Sequence, residues 1–389
     1  MITSFVAFTE EIDDVEAAVA EISEQLSKKS LHKNSIGLIS CLADFLESGV
    51  VAALAQSLPF EIVGQTSIAC AAPGSPGQQQ LCLLVLTSDD VEFVAAHTDP
   101  ITEEDPTPIA QSYAAATAGR SQKPSLIISY APLLLNVGGD FLVKSINAAS
   151  GGVPIFGSLA VDATMDYHDS QVIFSGAGSR NQMACVLVYG NVQPRFYLAT
   201  ISHEKVFKER GVVTASKGNQ LQMINGAPVT EFLKNQGITP NEQGDYEGIN
   251  SFPYLVDYND GTDPVIRVMF AITPEGYAVC GGDIPVGAKL SIGYFDAEDI
   301  LKTTSEKLGE ITLEHDTSFI LAFSCIGRYF TLGYEPKAET EKLRDAWGDS
   351  NVPYTFTYSG GEICPTHSQD DPEALANRFH NSTFIACVL

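Results

Sequence analysis

Phe319-Ile-Leu-Ala-Phe-Ser-Cys-Ile-Gly-Arg328 is an apolar run that ends on small, polar and charged residues. Short apolar runs with such boundaries predict buried strands. A similar run, Val352-Pro-Tyr-Thr-Phe-Thr-Tyr-Ser-Gly-Gly-Glu362, follows a helical pattern over residues 338–347, and Ser382-Thr-Phe-Ile-Ala-Cys-Val-Leu389 is the last apolar run. The predicted order of elements is therefore strand, helix, strand, strand.

The same order occurs twice upstream. In the first copy, a strand pattern at residues 36–41 is followed by a helical pattern through Leu54, Ala55 and Leu58 and then by strand patterns at residues 60–64 and 81–86. The second copy has them at residues 126–130, 140–149, 153–157 and 183–189. Because the spacing lengthens from copy to copy, a solenoid of fixed period is excluded. The pattern predicts an α/β fold with duplicated strand-helix-strand-strand units that form mixed sheets flanked by helices, in two domains.

A more β-rich stretch begins after the second copy, and residues 195–235 belong to it. Further strand patterns follow, and Asp296 is predicted as the N-cap of the helix that precedes the third copy. We predict one domain over residues 1–235 and a second over residues 236–389. The segment 195–235 is free to pack with either domain.

The chain has 22 Lys and Arg residues against 48 Asp and Glu residues, a formal net charge of −26 at pH 7. This negative charge repels nucleic-acid phosphates and anionic lipid, so we expect neither nucleic acid nor a membrane as a partner. Hydrophobic residues make up 44% of the 389 residues, and no apolar run approaches the length of a membrane-spanning helix. The N-terminal residues lack the pattern of a secretion signal, so we expect a cytoplasmic protein.

Eight cysteines are present, and no Cys-x-x-Cys pair occurs. Cys82, Cys185 and Cys387 lie inside apolar strand patterns, where cysteine behaves as a small buried hydrophobic residue. The remaining thiols are too scattered for a zinc signature, and we predict no metal site.

In an open α/β sheet, ligands bind beyond the carboxyl ends of the strands, where loops and helix N-termini meet. The third copy places the largest set of polar residues at that edge. Its candidate ligand-binding residues are Ser324, Cys325, Arg328, Glu362, Cys364, His380 and Asn381. Further candidates from the second copy are Tyr130, Gly157 and Ser158.

Arg328 and Glu362 favour a site for a small zwitterion. The guanidinium group of Arg328 offers a planar set of donors to a carboxylate, and Glu362 can accept a hydrogen bond from an ammonium group. Asn381 can both donate and accept, which suits an amide or a carboxylate. The structural alternative is that Arg328 and Glu362 pair with each other at the sheet edge.

Aligned in register, the copies place Cys41, Tyr130 and Cys325 at the end of the first strand. The glycines predicted to end the second strand are Gly64, Gly157 and Gly360. Only the third copy adds an arginine and a glutamate to these positions. We therefore predict the ligand site in the third copy.

The order of five motifs resembles the FIST sensory domain, in its N-terminal and C-terminal parts. The motifs are Val153-Pro-Ile-Phe-Gly157, Gly211-Val-Val-Thr followed by Asn225-Gly-Ala-Pro228, Phe323-Ser-Cys-Ile-Gly-Arg328, Gly361-Glu-Ile-Cys-Pro365 and Asn381-Ser-Thr-Phe. The resemblance implies a bacterial, intracellular sensor of signal transduction that binds a small ligand, with an amino acid or a related metabolite as the expected class. It also implies output through a partner, such as a signalling kinase, a cyclase or a chemotaxis-type protein. The sequence shows no such output segment, so we expect a separate partner protein.

Two alternatives to a sensor of amino acids stay open. One is a thiol enzyme, an acyl or amide hydrolase or transferase with Cys325 as nucleophile and His380 or Glu362 as base. The other is a haem-based nitric-oxide sensor, which the resemblance also implies, with His168, His203 or His380 as the histidines to consider. The sequence has no diagnostic haem motif, and we predict no catalytic residues and no cofactor.

Overall fold

Three α/β units follow one another along the chain, and a β-rich insertion interrupts the third. The computed structural model describes residues 1–75, 77, 79–164, 166–313, 317–335, 337–348, 350–368, 371 and 374–389. In each unit, helices join two parallel central strands, and a further strand pairs antiparallel with the first of them. This arrangement is the predicted strand-helix-strand-strand unit, and the predicted fold class is confirmed.

The first unit occupies the first 88 residues. Its elements are β1 (Thr3–Thr9), α1 (Val15–Ser27), β2 (Asn34–Cys41), α2 (Asp44–Glu47), α3 (Val50–Ser57), β3 (Glu61–Thr66), β4 (Cys70–Ala71) and β5 (Leu81–Ser88). Asp14 caps α1, since its side chain accepts a hydrogen bond from the backbone N–H of Ala17 at 3.0 Å.

The second unit repeats this order. Its elements are β6 (Glu92–His97), α4 (Thr107–Thr117), β7 (Leu126–Ala131), α5 (Gly139–Ser150), β8 (Ile155–Leu159), β9 (Val172–Phe174), β10 (Ala177–Ser179) and β11 (Ala184–Tyr189). The edge strands β1 and β6 pair with β5 and β11, so the two units share the same strand order.

The third unit begins with β12 (Arg195–Ala199), after which the insertion follows. The insertion comprises β13 (Val206–Lys217), β14 (Gln220–Ile224), β15 (Ala227–Pro228), α6 (Val229–Asn235), β16 (Tyr254–Asp257), β17 (Val265–Arg267), β18 (Met269–Ile272), β19 (Ala278–Cys280) and β20 (Lys289–Gly293). Short 3₁₀ turns cover His203–Lys205 and Ile249–Ser251. The unit resumes with α7 (Ala297–Glu310), β21 (Ile320–Cys325), α8 (Ile326–Thr331), α9 (Lys337–Trp347), β22 (Tyr354–Ser359), β23 (Glu362–His367), β24 (Leu375–His380) and β25 (Phe384–Val388).

A strand crosses from each unit into the sheet of another unit. β4 of the first unit pairs with β22 of the third, β9 of the second pairs with β3 of the first, and β23 of the third pairs with β8 of the second. The exchange is therefore cyclic, and strands from both predicted ranges, 1–235 and 236–389, lie in the same sheets.

The strands of the insertion form a separate eight-stranded sheet with its own apolar core. The predicted boundary between residues 235 and 236 falls within the insertion, between α6 and β16. The division of the chain into two domains at this boundary remains a prediction.

One apolar core lies where the sheets of the three units face one another. Tyr130, Phe156 and Phe323 meet there, with ring centroids 6.2 Å apart for Tyr130 and Phe323 and 5.6 Å apart for Phe156 and Phe323. The opposite faces of the sheets are covered by helices. Strands buried on both faces are expected to be apolar throughout, which explains the continuous apolar runs in the sequence.

The predicted alignment of the copies is wrong for Cys41 and Tyr130. Tyr130 lies in the apolar core between the three units, whereas Cys41 packs on the helix-covered face of its own sheet. Residues on opposite faces of a sheet are not equivalent positions. Two-sided burial is the reason, because a continuous apolar run does not show which residues share a face.

The predicted N-cap at Asp296 is confirmed, since its side chain accepts from the backbone N–H of Asp299 at 2.8 Å. Among the residues that the structure describes, no helix is both long and apolar enough to span a membrane.

Gly157 of β8 lies directly against the backbone of β7, which gives a test of the fold. A Cβ atom at this position would lie 1.9 Å from the backbone oxygen of Ser129. We expect Gly157→Ala to lower the free energy of unfolding by about 2 kcal/mol or more in urea denaturation, because the two strands must move apart.

Gly309→Ala in α7 is the matched control. A Cβ atom there meets no heavy atom within 4 Å. Alanine also has the higher helix propensity, so this substitution is expected to stabilise the protein by up to about 1 kcal/mol. Equal effects of the two substitutions would contradict the described packing of β7 on β8.

Candidate ligand site

A cavity of about 330 Å³ lies between the third unit and the inserted sheet, and we call it the apolar cavity. Its principal apolar lining residues are Val268, Phe270, Phe295, Ile300, Ile326 and Phe330. Polar lining residues include Cys325, Arg328, Asn381 and Ser382. The structure therefore brings three of the predicted site residues, Cys325, Arg328 and Asn381, to one cavity.

Arg328 follows β21 on the short helix α8, and its side chain is fully buried. Its Nε and Nη2 donate to Oε1 of Glu339 at 3.1 and 2.9 Å, and Nη2 also donates to the backbone oxygen of Ile300 at 3.2 Å. Nη1 has no hydrogen-bond partner among the described residues. Because a guanidinium group carries five N–H donors, Arg328 retains donor capacity that the described residues do not use.

The structural alternative, in which Arg328 pairs with Glu362, is wrong, because Arg328 pairs with Glu339 instead. Glu339 also accepts from Ser324 Oγ at 2.7 Å and from Thr304 Oγ1 at 3.1 Å. Ser324 therefore stabilises this ion pair through its hydrogen bond to Glu339. It is not among the residues that line the cavity.

Sequence reasoning missed Glu339, although a signal was present. Glu339, Leu343 and Trp347 are spaced four residues apart on α9, and all three are buried. A carboxylate on the apolar face of a helix requires a buried partner. That spacing could have predicted a cation such as Arg328 beneath α9.

Glu362 starts β23 and is completely buried. Its Oε1 accepts from Ser359 Oγ at 2.7 Å, and its Oε2 accepts from Thr383 Oγ1 at 2.7 Å. Burial raises the pKa of Glu362 to about 8, although these hydrogen bonds act in the opposite direction. The side chain is therefore largely protonated near neutral pH, and it is not among the residues that line the apolar cavity.

Cys325 lines the apolar cavity but is only 6% exposed. Its sulfur accepts hydrogen bonds from the backbone N–H groups of Gly327 and Ser382, yet burial raises the pKa of the thiol far above its ordinary value. A nucleophilic cysteine needs a lowered pKa. These surroundings count against the thiol-enzyme alternative.

Asn381 and His380 have different surroundings. Asn381 donates from Nδ2 to the backbone oxygens of Gly281 and His380 at 3.3 and 3.2 Å, whereas its Oδ1 has no partner among the described residues. His380 is fully buried, and its Nε2 lies 3.0 Å from the backbone oxygen of Cys364. Burial lowers the pKa of His380 to about 3, so the ring is neutral in the folded protein near neutral pH.

The remaining predicted site residues lie away from the apolar cavity. Cys364 and Tyr130 belong to the apolar core between the three units. Gly157 is held against the backbone of Ser129, and Ser158 Oγ donates to Gln65 Oε1 at 2.9 Å. In the cyclic strand exchange, β23 pairs with β8 at Gly157 and Ser158, so these two residues lie inside the sheet and not at its edge.

The histidines considered for haem do not fit that group in this cavity. His168 is exposed and lies 2.7 Å from Asp166, His203 is on a surface 3₁₀ turn, and His380 contacts a backbone carbonyl. None of the three lines the apolar cavity. In the described part of the chain, no group of three or more potential ligands is placed to hold a metal ion.

Comparison with known families gives two matches that together cover most of the chain. The FIST N domain matches residues 35–227, and the FIST C domain matches residues 231–365. The chain matches no curated protein.

Among solved structures, two of cyanuric acid hydrolase are similar to this chain, one of them from A. caulinodans. They are 9% and 10% identical to it in sequence, each covers 100% of this chain and 99% of the hydrolase chain, and each TM-score is 0.37. A TM-score this low supports no conclusion about the fold or the activity of this chain.

The raised pKa of Glu362 gives a test by pH. The unfolded chain releases this proton near the ordinary value of 4.5, whereas the folded chain keeps it up to about pH 8. Wild-type stability should therefore fall as pH rises between these values, by up to about 1.4 kcal/mol per pH unit from this group. Glu362→Gln resembles the protonated side chain, so its stability relative to wild type should increase from pH 5 to pH 8.

Urea denaturation at each pH measures this difference, and Glu24→Gln on the exposed face of α1 is the control. The control should follow the wild type at every pH. Parallel profiles for wild type and Glu362→Gln would show that Glu362 is ionised in the folded protein.

Proposed function

This chain belongs to the FIST family, whose members are sensory domains in signal transduction, and we propose that it senses a small ligand bound in the apolar cavity. The predicted class of ligand, an amino acid or a related metabolite, is kept in this proposal. Output through a separate partner protein, and a cytoplasmic location, stay predictions.

The unused donor of Arg328 is the observation that carries the proposal. A buried N–H group without a partner costs roughly 1–3 kcal/mol. Nη1 of Arg328 has no partner among the described residues, and Arg328 lines a cavity of about 330 Å³. A carboxylate or carbonyl oxygen of a ligand that reached Nη1 would remove this cost.

Asn381 supplies a complementary acceptor. Its Oδ1 has no partner among the described residues, and Asn381 lines the same cavity. An ammonium or amide N–H of the ligand could donate to it. The two unused groups together suit a ligand that has an acceptor at one point and a donor at another, as an amino acid does.

The charges around the cavity favour a ligand with no net charge. Arg328 is already neutralised by Glu339, and Glu362 is largely protonated near neutral pH. A ligand with net charge would lose its hydration without meeting an opposite charge. A zwitterion has no net charge and still offers an acceptor to Arg328 and a donor to Asn381. The apolar lining favours a zwitterion with an apolar side chain.

Phe270 gives the sharpest test of this site, because it lines the apolar cavity while 63% of its surface is exposed. Its removal should leave folding intact. We expect free amino acids with large apolar side chains to raise the melting temperature of the wild type, by mass action. Phe270→Ala should weaken the binding of the most stabilising amino acid roughly tenfold, because part of the apolar contact is lost.

Val286→Ala is the matched control, since Val286 is 62% exposed and lines a different cavity. Titration calorimetry should give the wild-type affinity for this variant. Arg328→Ala is less suitable, because it would leave Glu339 as an unpaired buried charge and destabilise the fold. Equal affinities of the Phe270 and Val286 variants would place the ligand elsewhere.

A further inference from the structure

A second cavity of about 360 Å³ adjoins the apolar cavity, and we call it the acidic cavity. Tyr167, Ile326 and Phe330 line both cavities and therefore form the wall between them. On its far side the acidic cavity is bounded by the first unit, where Asp44 and Glu47 of α2 line it. It thus lies between residues of all three units.

The lining of the acidic cavity carries four carboxylates: Asp44, Glu47, Asp162 and Asp169. No lysine or arginine is among its described lining residues. Asp169 Oδ1 lies 2.8 Å from Nη2 of Arg180, and its Oδ2 lies 3.1 Å from Nε2 of His168. The other three carboxylates form no ion pair among the described residues. The cavity therefore has a negative electrostatic potential.

Asp162 is the member of this group that points to a ligand. It is only 1% exposed, and its Oδ1 accepts from the backbone N–H and the hydroxyl of Thr164. Its Oδ2 has no partner among the described residues. Buried carboxylate oxygens are nearly always paired, so this atom requires a donor that the described residues do not supply.

Three aromatic rings stand close together on the same cavity. The ring centroids of Tyr329, Phe330 and Tyr334 lie 5.3–5.9 Å from one another. All three residues line the acidic cavity, and Tyr167 lines it as well. The faces of aromatic rings attract cations, and groups of such rings are used to recognise alkylated ammonium groups.

We propose that the acidic cavity binds an organic ammonium cation, such as a quaternary amine or a small diamine. The carboxylate of Asp162 attracts its charge, and the rings of Tyr329, Phe330 and Tyr334 contact its alkyl groups. An inorganic metal ion fits less well, because no group of three metal-ligating side chains is placed for it in the described residues.

This site is separate from the proposed amino-acid site. The shared wall of Tyr167, Ile326 and Phe330 nevertheless means that each ligand would contact residues that the other ligand also contacts. Asp162 and Tyr334 line only the acidic cavity, and Phe270 and Asn381 line only the apolar cavity. Variants at these four residues separate the two sites.

Titration calorimetry of the full chain with choline and with putrescine tests the proposal. A neutral probe, 3,3-dimethylbutan-1-ol, has the shape of choline without its charge. We expect at least one of the two cations to bind, and the neutral probe not to bind. Tyr334→Ala and Asp162→Asn should each weaken the binding of that cation roughly tenfold, by loss of the ring and of the negative charge.

The controls match each variant. Phe270→Ala removes another exposed ring, since Phe270 is 63% exposed and Tyr334 is 58% exposed. Asp13→Asn removes an exposed carboxylate outside the cavity. Both controls should keep the wild-type affinity for the cation. Tyr334→Ala decides the outcome if Asp162→Asn fails to fold, because Tyr334 is largely exposed.

Three results would overturn the proposal. The first is that neither cation binds the folded wild type at concentrations up to about 10 mM. The second is that Tyr334→Ala binds the cation as tightly as Phe270→Ala does. The third is that the neutral probe binds as well as choline, which would remove the role of charge.

Discussion

The buried ion pair between Arg328 and Glu339 is the interaction on which the candidate site depends. Both side chains are fully excluded from solvent, where an unpaired charge costs roughly 3–5 kcal/mol. The pair joins the end of β21, through α8, to α9, and Thr304 brings α7 into the same hydrogen-bond network. It therefore fixes one wall of the apolar cavity, and it leaves Nη1 of Arg328 without a partner among the described residues.

The inserted sheet explains why the third unit, and not the other two, carries this cavity. The three units share one strand order and exchange strands cyclically, so the ends of their central strands lie in similar positions. In the second unit, Tyr130 fills the common core against Phe323. In the third unit, Val268 and Phe270 of the insertion lie across the strand end and enclose space beside Arg328.

Local pattern and long-range pairing differ in how well the sequence predicts them. The apolar runs predicted the central strands because both faces of each strand are buried, and for the same reason they did not fix the register at Tyr130. The exchanged strand β4 has two residues, too few to give a pattern. Cys325, Arg328 and Asn381 were predicted at one site because strand ends share an edge. Glu339 was missed, since its contact with Arg328 depends on how α9 packs over β21.

A high-resolution crystal structure of the protein with the free amino acid that stabilises it most tests the central claim most directly. We expect ligand density in the apolar cavity, with a ligand oxygen within about 3.2 Å of Nη1 of Arg328 and with Glu339 still paired to the same guanidinium group. Ligand density at another place on the protein, with the apolar cavity holding none, would contradict the central claim.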